Sequence, residues 1–236
     1  MNKKVLWSLL FCLASCLASE PLLGHDMWLQ PTDKGFIIAV GHQGAIDPYE
    51  PDRVVYVTGH TANDWPVPVA LEKKKDAAIA LTDENYCALT GLLDNKYWLK
   101  TTDGWKNQRE KKGLEILEQG RSYKYTKHIS MWSDFLAQPL GQRLEIVPIK
   151  DPTRVKEGDQ LPIKIYFEGK PAPVASLCKT TRMEDTHEMD EVKGDGPFMV
   201  TVGPPGLQLV TAKYKIQVDR KAVVWLAASL SFKTTK

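Results

Sequence analysis

Ala222-Val223-Val224-Trp225-Leu226-Ala227-Ala228-Ser229-Leu230 is a nearly unbroken apolar run close to the C-terminus. A membrane-crossing helix needs about 20 such residues. The run is too short for that and reads as a buried final strand, covered on both faces by other parts of the protein. Working back from it, apolar segments recur at 207–214, 198–202, 174–179, 161–167 and 144–148, with the turn Glu168-Gly169-Lys170-Pro171 among them. Roughly seven strands over about 95 residues match the count and spacing of an immunoglobulin-like sandwich.

The same pattern of short strands and turn signals fills the N-terminal half, at 36–40, 53–58, 67–71, 77–81, 97–101 and 123–131. Gln138-Pro139-Leu140-Gly141 interrupts it and marks a linker. The expected fold class is therefore all-β, with two β-sandwich domains over 25–137 and 138–236, the second immunoglobulin-like. The one helical candidate is 108–118, where charged residues surround Leu114, Ile116 and Leu117. That stretch reads either as a helix or as an irregular excursion between strands.

The first 24 residues read as an export signal. Lys3 and Lys4 precede an apolar stretch over 5–17, and small residues follow around Ala18 and Ser19. Cleavage after Ala18 or Ser19 leaves a short tail before His25, whereas cleavage after Gly24 makes His25 the amino terminus. Leu13-Ala14-Ser15-Cys16 also has the form of a lipobox, which would make Cys16 a lipidated anchor. Either way the expected location is periplasmic or extracytoplasmic. About 210 residues remain, enough for one large or two ordinary domains. With 31 Lys and Arg against 29 Asp and Glu, no basic stripe points to nucleic acid. Cys87 and Cys178 lie beyond the signal and read either as one disulfide or as two buried thiols.

Histidines carry the chemistry that the sequence suggests. His25 opens His25-Asp26-Met27-Trp28-Leu29-Gln30-Pro31, and His42 follows the strand at 36–40. As a free terminus, His25 would offer an amine and an imidazole together, a chelate suited to Cu²⁺ or Ni²⁺. Asp26 would add an oxygen donor. Five residues of strand span ~17 Å, so His25 and His42 share an ion only if the chain folds back between them. The alternative is that both histidines hydrogen-bond in loops. His60 and His128 are expected in structural roles. The stretch from Met183 to Glu191 combines sulfur, imidazole and carboxylates but reads as a solvated loop, because it has no standard zinc or calcium spacing. Trp98 and Trp105 bracket a polar turn and serve either as a recognition surface, as cover for a metal site, or as core plugs. No Gly-X-Ser-X-Gly elbow, His-Glu-X-X-His or phosphate loop is present, and the expectation is a protein that is not an enzyme.

Several strings together, from His25-Asp26-Met27-Trp28-Leu29-Gln30-Pro31 and Gly41-His42 through Tyr97-Trp98-Leu99-Lys100-Thr101-Thr102-Asp103-Gly104-Trp105-Lys106-Asn107, Leu144-Glu145-Ile146-Val147-Pro148 and Gly169-Lys170-Pro171 to Ala227-Ala228-Ser229-Leu230-Ser231-Phe232, give the chain its resemblance. It resembles a bacterial extracytoplasmic domain-of-unknown-function family, often labelled as a periplasmic component of nickel or cobalt uptake. The resemblance implies a β-rich exported protein with its first histidine directly after the signal. His25 and His42 match the family's histidines, and Lys127 falls in its Tyr-Ser/Thr-Lys segment. Relatives carry a histidine where Tyr214 stands here, and often another where Gln43 stands. By resemblance, either the Tyr214 phenol is a weak axial ligand or part of the site is lost. The implied function is capture of nickel or cobalt, or else copper, for a membrane importer, with His25, His42, Asp26 and Tyr214 as ligands. The rival expectation is a non-catalytic module that presents the Trp98 to Trp105 turn to a protein or carbohydrate.

Overall fold

The computed structural model describes residues 25–42, 45–82, 86–181 and 189–234. The signal segment, Cys16, Gln43 and most of the Met183 to Glu191 stretch lie outside them. In the first half the strands are β1 (Asp26–Thr32), β2 (Gly35–His42), β3 (Ala45–Ile46), β4 (Val54–His60), β5 (Pro66–Pro68), β6 (Ala70–Lys73), β7 (Ala78–Leu81), β8 (Ala88–Thr101), β9 (Gly104–Lys106) and β10 (Ile116–Ile129). In the second half they are β11 (Leu144–Pro148), β12 (Gln160–Phe167), β13 (Lys170–Pro171), β14 (Val174–Leu177), β15 (Asp190–Lys193), β16 (Phe198–Thr201), β17 (Gly206–Gln217) and β18 (Ala222–Thr234). The only helical turns among the described residues are short 3-10 turns at Pro51–Arg53, Asp134–Ala137 and Pro152–Arg154. The chain is all-β. No helix among them is long and apolar enough to cross a membrane.

Three sheets stack. The first has the order β1-β2-β7-β6 with β3 beside β2, and the third has β11-β12-β13 with β16 beside β12. Between them runs the long order β15-β14-β17-β18-β10-β8-β4-β5, with β9 on β8. Successive side chains of a strand point to opposite faces, and this middle sheet uses both. Leu89 and Leu93 of β8 pack with Met27, Leu29, Ile38 and Val40 of the first sheet. Their neighbours Ala88 and Leu92 join Tyr125 and Ile129 of β10 in a second core, which includes Ile146, Leu161, Ile163 and Val200 of the third sheet. Burying each such Leu or Ile contributes about 1.5–3 kcal/mol.

The final apolar run occupies β18, between β17 and β10. It pairs antiparallel with β17 and parallel with β10, from Gln119↔Ala222 to Ile129↔Phe232. The middle sheet is thus continuous across the segments 25–137 and 138–236. The stretch between them is anchored: buried Glu145 accepts hydrogen bonds from the backbone N–H groups of Leu140 (2.7 Å), Gly141 and Gln142 (both 3.1 Å). The same carboxylate forms an ion pair with Lys127, and both side chains are almost wholly buried. Gln142 Nε2 donates to the carbonyls of Gly91 and Thr126, tying the stretch to β8 and β10.

The structure decides two open alternatives and divides one expected strand. The candidate helix at 108–118 is irregular up to Ile116, where β10 begins. Gly113 adopts a φ of 76° there, and the few apolar residues form no stripe that a helix could bury. The strand expected at 67–71 divides at Val69: β5 pairs with β4 in the middle sheet, and β6 pairs with β7 in the first. Cys87 and Cys178 are both buried, and no disulfide joins them.

Candidate functional site

The first strand of the fold is β1, with His25 just ahead of it. A tight turn at Asp33 and Lys34 folds β1 back on β2, with Asp26 opposite Gly41 and Thr32 opposite Gly35. The hairpin closes the distance that a single strand would impose. The rings of His25 and His42 lie 4.4 Å apart between centroids, edge to face at 70°. Beyond His42 the chain reverses again into β3, pairing His42 with Ala45, and Asp47 N–H donates to the Val40 carbonyl at 2.8 Å. That return sets the Asp47 carboxylate 3.1 Å from His25 Nδ1. Among the described residues no three His, Cys, Asp or Glu side chains form a complete metal-binding group.

With Nδ1 donating to Asp47, His25 presents Nε2 as its electron-pair donor. A carboxylate behind the coordinating ring is the usual way a histidine ligand is oriented and made more basic. A chelate through Nδ1 and a terminal amine would have to displace this bond. Burial holds the His25 pKa below its ordinary 6.5; Asp47 opposes that shift, while Lys124 and Lys213 reinforce it. Lys124 is fully buried, and its Nζ donates to the His25 carbonyl. Burial brings its pKa down to about 8, with nearby Asp26 opposing the shift.

Both histidines open into a cavity of about 420 Å³. Its apolar wall is Val40, Leu93 and the rings of Trp98 and Trp105; its polar groups include Arg53, Asn95 and Asn107. The Trp98 to Trp105 turn and the His25 to His42 pair, far apart in sequence, form one site. Trp98 Nε1 donates to the Asn95 carbonyl at 2.6 Å. Trp105 stands edge-on to Trp225 at 5.3 Å, with Lys100 Nζ 5.7 Å from its ring centroid. Arg53 donates to Asn107 Oδ1 at 3.1 Å and to Glu50 at 3.3 Å. Asn107 in turn donates to the Tyr97 carbonyl at 3.0 Å. Tyr49 closes the loop over the sheet, donating to the Ile38 carbonyl and accepting from Ala78 N–H.

Two of the expected ligands are not brought to this cavity. Asp26 is one residue on from His25, so strand alternation directs it elsewhere; it is only 5% exposed and lies near Lys124. Tyr214 packs its ring on Phe167 at 4.7 Å, in the core beneath the third sheet. Its neighbour Lys213 is near enough to His25 to help lower the His25 pKa. Asp47 is the residue that sequence reasoning missed. The only available hint was a carboxylate five residues after His42, and the β2–β3 return that uses it carries no pattern of its own. His60 bonds Thr90 Oγ1 at 3.0 Å and His128 bonds Ser231 Oγ at 2.9 Å, both buried in the sheets.

Stacked sheets with a histidine and tryptophan cavity at one margin define an all-β protein whose distinctive chemistry is a pair of facing imidazoles. The chain belongs to the family described as "Domain of unknown function (DUF4198)", whose sequence profile matches residues 22–216. No curated protein matches it.

Proposed function

We propose that this is an exported metal-binding protein that captures Ni²⁺ or Co²⁺, with Cu²⁺ the closest alternative, and passes it to a membrane importer. The observation that supports this is the fold-back of β1 on β2, which faces His25 with His42 and backs His25 with Asp47. Imidazole nitrogens are suitable donors for all three ions, and a neutral ring is the form that binds. We also read the C-terminal strands as an immunoglobulin-like sandwich. Support for this comes from their order, β11-β12-β16 in one sheet and β15-β14-β17-β18 in the other.

Calorimetric titration of the exported protein with Ni²⁺, Co²⁺ and Cu²⁺, beside His25→Ala, tests the function. The expected dissociation constant for at least one ion is below about 10 μM, equivalent to ~7 kcal/mol. His25→Ala is expected to weaken it at least tenfold. Binding no tighter than that, or an unaffected variant, would overturn the proposal. The second reading, a module that binds protein or carbohydrate through its aromatic turn, draws on the same cavity because Trp98 and Trp105 line it. It predicts a melting temperature indifferent to metal and a partner complex weakened by Trp105→Ala.

A further inference from the structure

The cavity is far larger than an ion. At about 420 Å³ it lies in the range of small-molecule sites, which are mostly apolar with a few placed polar groups. Among the described residues its metal-binding side chains are few: the Asp47 carboxylate is engaged with His25 Nδ1, and the imidazoles of His25 and His42 line the space. Ni²⁺ and Cu²⁺ favour tetragonal N and O surroundings and need further donors. Arg53 stands in the same wall, oriented by Glu50 and Asn107 through Nε and one of its terminal nitrogens. A guanidinium repels a bare dication but matches a carboxylate, and indole faces suit a flat organic group.

We infer that the cavity takes the metal as a complex with a small carboxylate-bearing chelator rather than as a bare ion. His25 and His42 bind the metal from one side, and the chelator fills the remaining coordination positions. Arg53 holds a chelator carboxylate, while Trp98 and Trp105 cover its organic frame. This rests on the metal-binding function proposed above and names the form in which the metal arrives.

The test is calorimetry of the exported protein with Ni²⁺ alone, with Ni²⁺ plus two equivalents of L-histidine, with Ni²⁺ plus citrate, and with each chelator alone. At least one complex is expected to bind tenfold or more tightly than the ion alone. Which complex does so separates an amino-acid chelator from a polycarboxylate one. Each chelator alone should give no binding heat. In Arg53→Gln and in Trp105→Leu, with melting curves confirming folding, the ratio of complex to bare-ion affinity should fall toward one. If both chelators lower the apparent affinity by withdrawing the ion, this inference fails and the metal-binding function stands. An unchanged ratio in both folded variants, or chelator binding without metal, also overturns it. If neither the ion nor any complex binds, both proposals fail together.

Discussion

His25 owes its properties to what surrounds it. Burial lowers its pKa, and a lowered pKa means that the ring stays neutral into mildly acidic solution. Protons compete with metal for the same nitrogen. The His25 contribution to Ni²⁺ affinity should therefore decline at a lower pH than that of an ordinary imidazole. Titrations at pH 7.5, 6.5 and 5.5 check this; a decline already complete at 6.5 would contradict the burial. Asp47 opposes the downward shift, so Asp47→Asn should move the decline to still lower pH. The same change should weaken binding about 10- to 100-fold at pH 7.5, because the ring loses its orienting partner. Lys124 fixes the backbone beside the ring through the His25 carbonyl. At this scale the histidines were legible because imidazole chemistry is legible in a single letter. Asp26 and Tyr214, expected beside them, do not line the cavity that His25 and His42 share. Facing depends on where a strand begins, and the sequence marked no strand before Phe36.

The hairpin of β1 and β2 is the element that makes the site. Pro31 lies within β1, and a proline inside an apolar run argues against a central strand. It is tolerated here because β1 is the edge of its sheet. Gly41 is the hairpin's tightest point: a Cβ there would lie 1.9 Å from the Ala45 carbonyl oxygen. Since that neighbour is backbone, Gly41→Ala must push β3 away from β2. We expect a loss of about 1–3 kcal/mol in denaturant unfolding, the usual cost of overpacking. Weaker Ni²⁺ binding should follow, since His42 and Asp47 both depend on the β2–β3 return. Unchanged stability and binding would show that the return is dispensable. Similar local features hid the first half of β8: Gly91, Asp94 and Asn95 read as turn residues, and Lys96 adopts a φ of 66° at a register shift against β10. Such a bulge lets a strand pass through residues that would otherwise end it.

Across the whole molecule, the alternating strands were readable, but the joining of the halves was not. Parallel pairing of β10 with β18 links residues about a hundred positions apart through backbone groups, and no side-chain pattern announces it. Lys127 and Glu145 lock the halves together where β10 meets the start of β11. Burial pushes the Lys127 pKa down while Glu145 raises it. Glu145→Ala leaves that lysine buried without its counter-charge and removes the acceptor for three backbone N–H groups. Loss of one member of such a pair costs about 3–5 kcal/mol. Urea unfolding should register that loss, and Lys127→Met with Glu145→Leu should be milder than Glu145→Ala alone. The final strand has a different consequence. Held on both sides by the sheet, β18 is tethered to β17 by the exposed turn at 218–221. In the vocabulary of split proteins, β18 is a bolt rather than a wall: a nick in that turn would leave it seated by backbone pairing with β17 and β10 and by buried side chains such as Leu226, Leu230 and Phe232. Its withdrawal would break the middle sheet between β17 and β10.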